Sequence, residues 1–184
     1  LNASGGVGNG MNGMSVPATY PTGYDAYYCM KYEMSQEQYV DFLNTLTRMQ
    51  QNGRTYTDVS GLNLPAGEDF VLTSASIVVD RNSITCDNDL KGTSAPITFY
   101  CDYNDNGTGN EADDGMNIPL SYVIWPDIAA YADWAGLRPL TEGEYEKACR
   151  GGNVPVPGEY AWGNTSIHSS NYTVSNLGYN NEVI

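Results

Sequence analysis

Basic residues are scarce in this chain: 8 Lys and Arg stand against 22 Asp and Glu, giving a formal net charge of −14 over 184 residues. Nucleic acid is excluded as a partner on that ground, because phosphate neutralisation needs a Lys/Arg face. An anionic membrane surface is disfavoured for the same reason, and cations are the natural counter-species. No apolar run approaches the length of a transmembrane helix, so membrane insertion is not expected. Phe is also scarce, at 3 residues, whereas Tyr contributes 15 to a hydrophobic fraction of 41%. Tyr packs its ring and keeps a polar tip, which points to amphipathic contacts. Histidine is represented only by His168, in a loop-like stretch where a histidine is usually neither ligand nor base. No Ser/His/Asp grouping, P-loop or dinucleotide fingerprint is present.

The four cysteines, Cys29, Cys86, Cys101 and Cys149, lack C-x-x-C spacing, which argues against a zinc site. An even count fits two disulfides in an oxidising compartment, and three connectivities are open. The expected pairing is Cys86–Cys101 with Cys29–Cys149. The first would close a loop of about 15 residues, worth up to ~3 kcal/mol in the chain-entropy model. Few lysines and many Asn, Gly, Ser, Thr and Tyr add to the expectation of an extracellular or cell-surface protein. The chain begins at Leu1 without a signal peptide, as expected of a processed or excised chain.

Residues 1–23 are dense in Gly and lack apolar periodicity, which marks an arm or linker, and residues 24–184 form the domain. Tyr27, Tyr28, Met30 and Tyr32 predict a strand. Ser35 and Gln38 make a capping box at the head of a helix running through residue 50. Tyr39, Phe42, Leu43 and Leu46 line its buried face. Short strands are expected at 69–74, 76–80 and 95–102. Pro126, Asp127 and Gly136 bound a second helix, and Thr141, Glu144 and Gly151 a third.

The stretch 101–115, CDYNDNGTGNEADDG, has five carboxylates and nothing a core can use. Counted from Asp102, it follows the register of a calcium-binding loop. Asp102, Asn104 and Asn106 occupy positions 1, 3 and 5, Gly107 turns the chain, Thr108 offers its carbonyl, and Asn110 and Asp113 follow at 9 and 12. Calcium gathers six to eight hard oxygens, and alternate side chains of a tight loop converge on one point. Asp113 is shorter than the usual Glu, and the loop follows a strand rather than a helix. Asp105, Glu111 and Asp114 contribute field without being required as ligands.

The run YVIWPDIAAYADWAGLRPLTEGEYEKACRGG, followed by YAWGN, resembles the formylglycine-generating enzyme, or sulfatase-modifying factor, family. Trp125, Asp127, Tyr131, Trp134, Gly136, Arg138, Thr141, Glu142, Glu144, Glu146, Ala148, Arg150, Gly151, Gly152, Trp162 and Gly163 carry the likeness. Glu33, Ser35, Gln38, Tyr39 and Phe42 match the family's opening strand and helix. The resemblance covers about residues 25–163. It implies an α+β, C-type lectin-like fold with two to three helices and many short irregular strands. It further implies that Arg138 and Arg150 pair with nearby glutamates, and that Asn171 and the Tyr172 carbonyl supply half of a second calcium site. The family's closely spaced catalytic cysteine pair, which binds copper and oxidises a substrate cysteine, has no counterpart here. Copper is therefore expected only with the family's C-terminal part. The leading functional expectation is a non-catalytic, calcium-stabilised binding or structural module, with a protein or glycan ligand or copies of itself as partner. A fragment of a formylglycine-generating oxidase and a subunit of a surface filament are the alternatives.

Overall fold

The computed structural model describes residues 17–92, 94–152, 154, 156–160, 163–167 and 169–184. The elements run α1 (Gln36–Asn44), α2 (Arg48–Asn52), β1 (Ile84–Cys86), β2 (Phe99–Cys101), α3 (Trp125–Trp134) and α4 (Glu142–Arg150), an α+β composition. The described part of the Gly-rich arm is residues 17–23; the rest of it, Trp162 and His168 lie outside the described residues. Two compact units are present: Leu1–Cys29 with Leu140–Ile167, and Met30–Pro139 with His168–Ile184. None of the helices is long and apolar enough to cross a membrane, among the described residues.

The second unit holds all elements but α4. Ser35 caps α1, taking the Gln38 N–H and returning its own N–H to Gln38 Oε1 at 2.9 Å. The helix expected to continue to residue 50 instead stops at Thr45, whose Oγ1 bonds the Phe42 carbonyl at 2.7 Å. A second box, Thr47 with Gln50, restarts it as α2. Two competing local caps outweigh the apolar periodicity that runs through Leu46.

Helix α1 packs on β2 and α3. Tyr39, Phe42, Tyr131 and Trp134 form a ring cluster, with Phe42 and Tyr131 edge to face at 5.9 Å and 89°. Asp127 holds the head of α3 by accepting the Ile124 N–H, and its other oxygen takes Arg54 at 2.9 Å.

Strands β1 and β2 pair antiparallel in the register Ile84↔Cys101, Thr85↔Tyr100, Cys86↔Phe99. The open side of β2 is closed by side chains. Asn44 accepts the Phe99 N–H at 2.8 Å and donates to the Phe99 carbonyl at 3.0 Å. Gln51, fully buried, does the same at Ile97 with two bonds of 2.8 Å, and also donates to the Leu43 carbonyl. Each amide thus takes the place of a neighbouring strand's peptide group. Gln51→Leu keeps the volume and leaves the Ile97 donor and two carbonyls without partners. A loss of about 2 kcal/mol is expected, read as a lower urea midpoint at unchanged slope; an unchanged midpoint would show the amide bonds to be energetically idle.

Arg48, 4% exposed, sits at the centre of the loops around this sheet. It donates to the carbonyls of Val59 (2.6 Å), Gly61 (2.9 Å), Ala95 (3.2 Å) and Leu90 (3.3 Å), with no carboxylate partner among the described residues.

Several expected strands are not ladders. Residues 69–74 fold into turns that touch Thr85 and Ala75 through single bridges at Phe70, and 76–80 contribute one bridge, Val79↔Asn82. The predicted strand at Tyr27–Tyr32 is absent. Its tyrosines split between the two units, and Tyr28 is fully exposed. β-Propensity without an edge to pair with does not make a strand.

In the first unit, Thr141 and Glu144 cap α4 as the sequence predicts, and Thr141 Oγ1 also donates to the Pro21 carbonyl at 2.7 Å. Tyr27 donates to the Glu144 carbonyl, and Lys147 bonds the Asp25 carbonyl at 2.8 Å. A Cβ on Gly23, where φ is +79°, would lie 2.5 Å from the Gly143 carbonyl oxygen, so only glycine permits this approach. Arg150 pairs with Glu146 at 3.9 Å, as expected, and with Glu159 at 3.2 Å.

Candidate metal centre in the acidic loop

The acidic loop leaves β2 and is organised by its own side chains. Asp102, 4% exposed, accepts the Asn106 N–H on one oxygen at 3.1 Å and the Gly107 N–H on the other at 2.9 Å. Asn104 Oδ1 also accepts the Asn106 N–H, and Asn106 Oδ1 accepts the Thr108 N–H at 2.7 Å. Asp105, Gly107 and Asn110 all take positive φ, at +55°, +82° and +64°. These turns wind the chain tightly, and Gly107 makes its turn without steric cost.

Asn110 departs from the expected register. Its Oδ1 accepts the Cys101 N–H at 3.2 Å while its own N–H returns to the Cys101 carbonyl at 2.9 Å. Its side chain therefore closes the base of the loop against β2. The oxygens that come together are those of Glu111, Asp113 and Asp114, all within 4.8 Å of one another. Asp113 belongs to the expected ligand set. Glu111 and Asp114, read from the sequence as background charge, are the additions. Asn106 connects the two halves by donating to Glu111 Oε2 at 2.6 Å.

Asp114 is the unusual member. It is fully buried, its Oδ2 accepts the Glu111 N–H at 2.6 Å, and its Oδ1 has no hydrogen-bond partner among the described residues. Burial pushes its carboxyl above the ordinary range. The Glu111 N–H works the other way, and the neighbouring charges of Asp102, Asp113 and Glu111 push it further up. A buried carboxylate oxygen without a hydrogen-bond partner is costly unless a proton or a cation joins it. The sequence signal was available in the doubled Asp113-Asp114, but a fixed register admits one residue at its last position.

Asn171 and Tyr172 lie on the surface, Tyr172 at 64% exposure, and the only cluster of three metal-competent acidic, Cys or His side chains among the described residues is the one above. The expected bridges Cys86–Cys101 and Cys29–Cys149 are not formed: all four cysteines are free, Cys29 on the surface and Cys149 half-buried. For the first pair the reason is register. Cys86 faces Phe99 and Cys101 faces Ile84, so the two cysteines are diagonal neighbours, about 7–8 Å apart, beyond disulfide reach. Both thiols are buried, and burial pushes each up to about 12.

Residues 4–182 match the family described as the sulfatase-modifying factor enzyme 1-like domain. The formylglycine-generating enzyme of Thermomonospora curvata is 47% identical over 58 residues, 32% of this chain and 18% of the relative. That of Mycobacterium tuberculosis is 44% identical over 57 residues, 31% and 18% of the two chains. The inactive C-alpha-formylglycine-generating enzyme 2 of Mus musculus is 41% identical over 59 residues, 32% and 18%. The chain therefore spans less than a fifth of the length of each of these relatives in the matched stretch. No solved structure matches at comparable stringency.

Proposed function

Because the chain belongs to the sulfatase-modifying factor enzyme 1-like domain family, we propose that it is a non-catalytic, calcium-stabilised binding or structural module built on that family's C-type lectin-like fold. It acts outside the cell, on a protein or glycan ligand or on copies of itself. The observation that carries the calcium reading is Asp114, whose Oδ1 is buried and unpartnered among the described residues and whose carboxyl gathers with those of Glu111 and Asp113. A hard divalent cation with six to eight oxygen ligands answers that arrangement. Asp102, Asp113, Asp114 and Glu111 supply charge, and Asn104, Asn106 and the Thr108 carbonyl complete the set.

Copper fits the Cys86 and Cys101 thiols poorly. Cys86 and Cys101, at 4% and 0% exposure, are closed to a substrate thiol, and the thiolates that copper prefers are disfavoured by burial. The reading as an oxidase fragment rests on the matched relatives' names, one of which is itself called inactive. The module reading requires only side chains present here.

Calorimetric titration of calcium into the chain and into Asp114→Asn tests the proposal. The native chain is expected to bind one ion, and the variant to bind at least about tenfold more weakly, since it removes the least solvated charge. In chelator the variant is expected to melt higher than the native chain, because an unpaired buried charge is gone. Equal affinity in the two proteins, or no binding by the native chain, would sink the calcium reading.

A further inference from the structure

We propose that residues 175–183 are the outer wall of the cation site, so that docking of this segment and occupancy of the site are one linked equilibrium. This rests on the calcium reading above and concerns its regulation.

The segment closes on itself at Ser175↔Val183, each N–H bonding the other's carbonyl. Its tip, Gly178, lies directly on the acidic loop. The Gly178 carbonyl accepts the Gly115 N–H at 2.9 Å, one residue beyond Asp114. A Cβ on Gly178, where φ is +85°, would lie 2.5 Å from the Asp113 carbonyl oxygen and 2.9 Å from the Tyr103 ring. No other residue fits there without moving the chain that carries Asp113 and Asp114.

The segment is held from behind as well. Glu182 Oε2 accepts the Gly178 N–H at 3.0 Å and pairs with Arg81. Two residues past Arg81, Ser83 donates from Oγ to the Asp114 carbonyl at 3.1 Å. The backbone of 113–115 is thus clamped between Ser83 on one side and Gly178 on the other. The acidic cluster alone would not define a site; the buried Asp114 Oδ1 without a partner does. Drawing that oxygen and Asp113 onto a cation sets the positions of the Asp113 carbonyl and the Gly115 N–H, the two groups Gly178 reads. By reciprocity, whatever strengthens docking of the segment strengthens cation binding by the same factor.

The test uses calcium alone as the probe and the whole chain. Hydrogen exchange at the amides of Gly115, Ser175 and Val183 is expected to slow by about tenfold or more on saturation with calcium. Gly178→Ala is expected to weaken calcium binding by about tenfold, although it alters no ligand. Should that variant fail to fold, Glu182→Gln removes the Arg81 pair from a position remote from the carboxylates, with an expected loss of about threefold. Native affinity in a folded variant, together with exchange at 175–183 indifferent to calcium, would overturn the linkage while leaving the cation site standing. Absence of calcium binding by the native chain would overturn both.

Discussion

Under the calcium reading, calcium supplied at about a hundred times its dissociation constant is expected to raise the melting temperature by about 5–10 °C over the same chain in chelator. The size follows from mass action: a ligand bound only by the folded state at that excess adds about 2.7 kcal/mol, and a chain of this length gains about 2–4 °C per kcal/mol. The pH dependence is the sharper test. Burial, aided by Asp102, Asp113 and Glu111, raises the Asp114 carboxyl in the metal-free fold, against the Glu111 N–H; Asp105 is raised in the same direction by burial and Asp102. A carboxyl raised on folding contributes stability that is full below the ordinary Asp range and is lost as pH rises through its folded value. The cation needs the ionised form, so its contribution is absent in acid and grows across that same window. Melting temperatures with calcium and with chelator therefore diverge as pH climbs out of the carboxylate range. Parallel curves would mean that these carboxylates do not hold the ion.

Arg48→Met lowers stability by about 4 kcal/mol, enough to move the melting temperature down by about 10 °C or more. Methionine fills much of the same space, so the loss is one of bonding. Four buried or half-buried carbonyls, at Val59, Gly61, Leu90 and Ala95, lose their donor together. A hydrogen bond from a charged group contributes about 1.5–3 kcal/mol, partly offset here because the buried guanidinium itself is costly. Arg48→Lys separates charge from geometry. An ammonium offers three donors on one atom and does not span four carbonyls spread over two loops, so about half of the loss remains. If lysine restored native stability, the charge and not the fork would be what matters.

Local grammar carried much of this protein. The boxes at Ser35 and Thr141, Asp127 at the head of α3 and Gly136 beyond its end are all set within four residues of sequence, and all four stand as read. The break between α1 and α2 was also written locally, in Thr47 and Gln50, but periodicity through Leu46 spoke louder. The strand expected at Tyr27–Tyr32 failed because a ladder depends on what lies opposite, and that is decided at a distance. Arg48 has the same character: its four acceptors lie 11 to 47 positions away. In the acidic loop, register reasoning found the turn around Asp102 and passed over Asp114, because burial is a property of the folded chain and not of the motif.

The amides of Asn44 and Gln51 have a further effect on how this chain meets its neighbours. Along β2 they occupy the groups at Phe99 and Ile97 that an incoming strand would seek. Along β1, the Val71 N–H takes the Ile84 carbonyl, and Phe70 bridges Thr85. Both margins of the small sheet are therefore spoken for before any second molecule arrives. A donated strand would have to evict buried side-chain amides to template on it, which guards the fold against runaway β-polymerisation. Strand addition to this two-stranded sheet is therefore disfavoured as a way of joining copies of the chain.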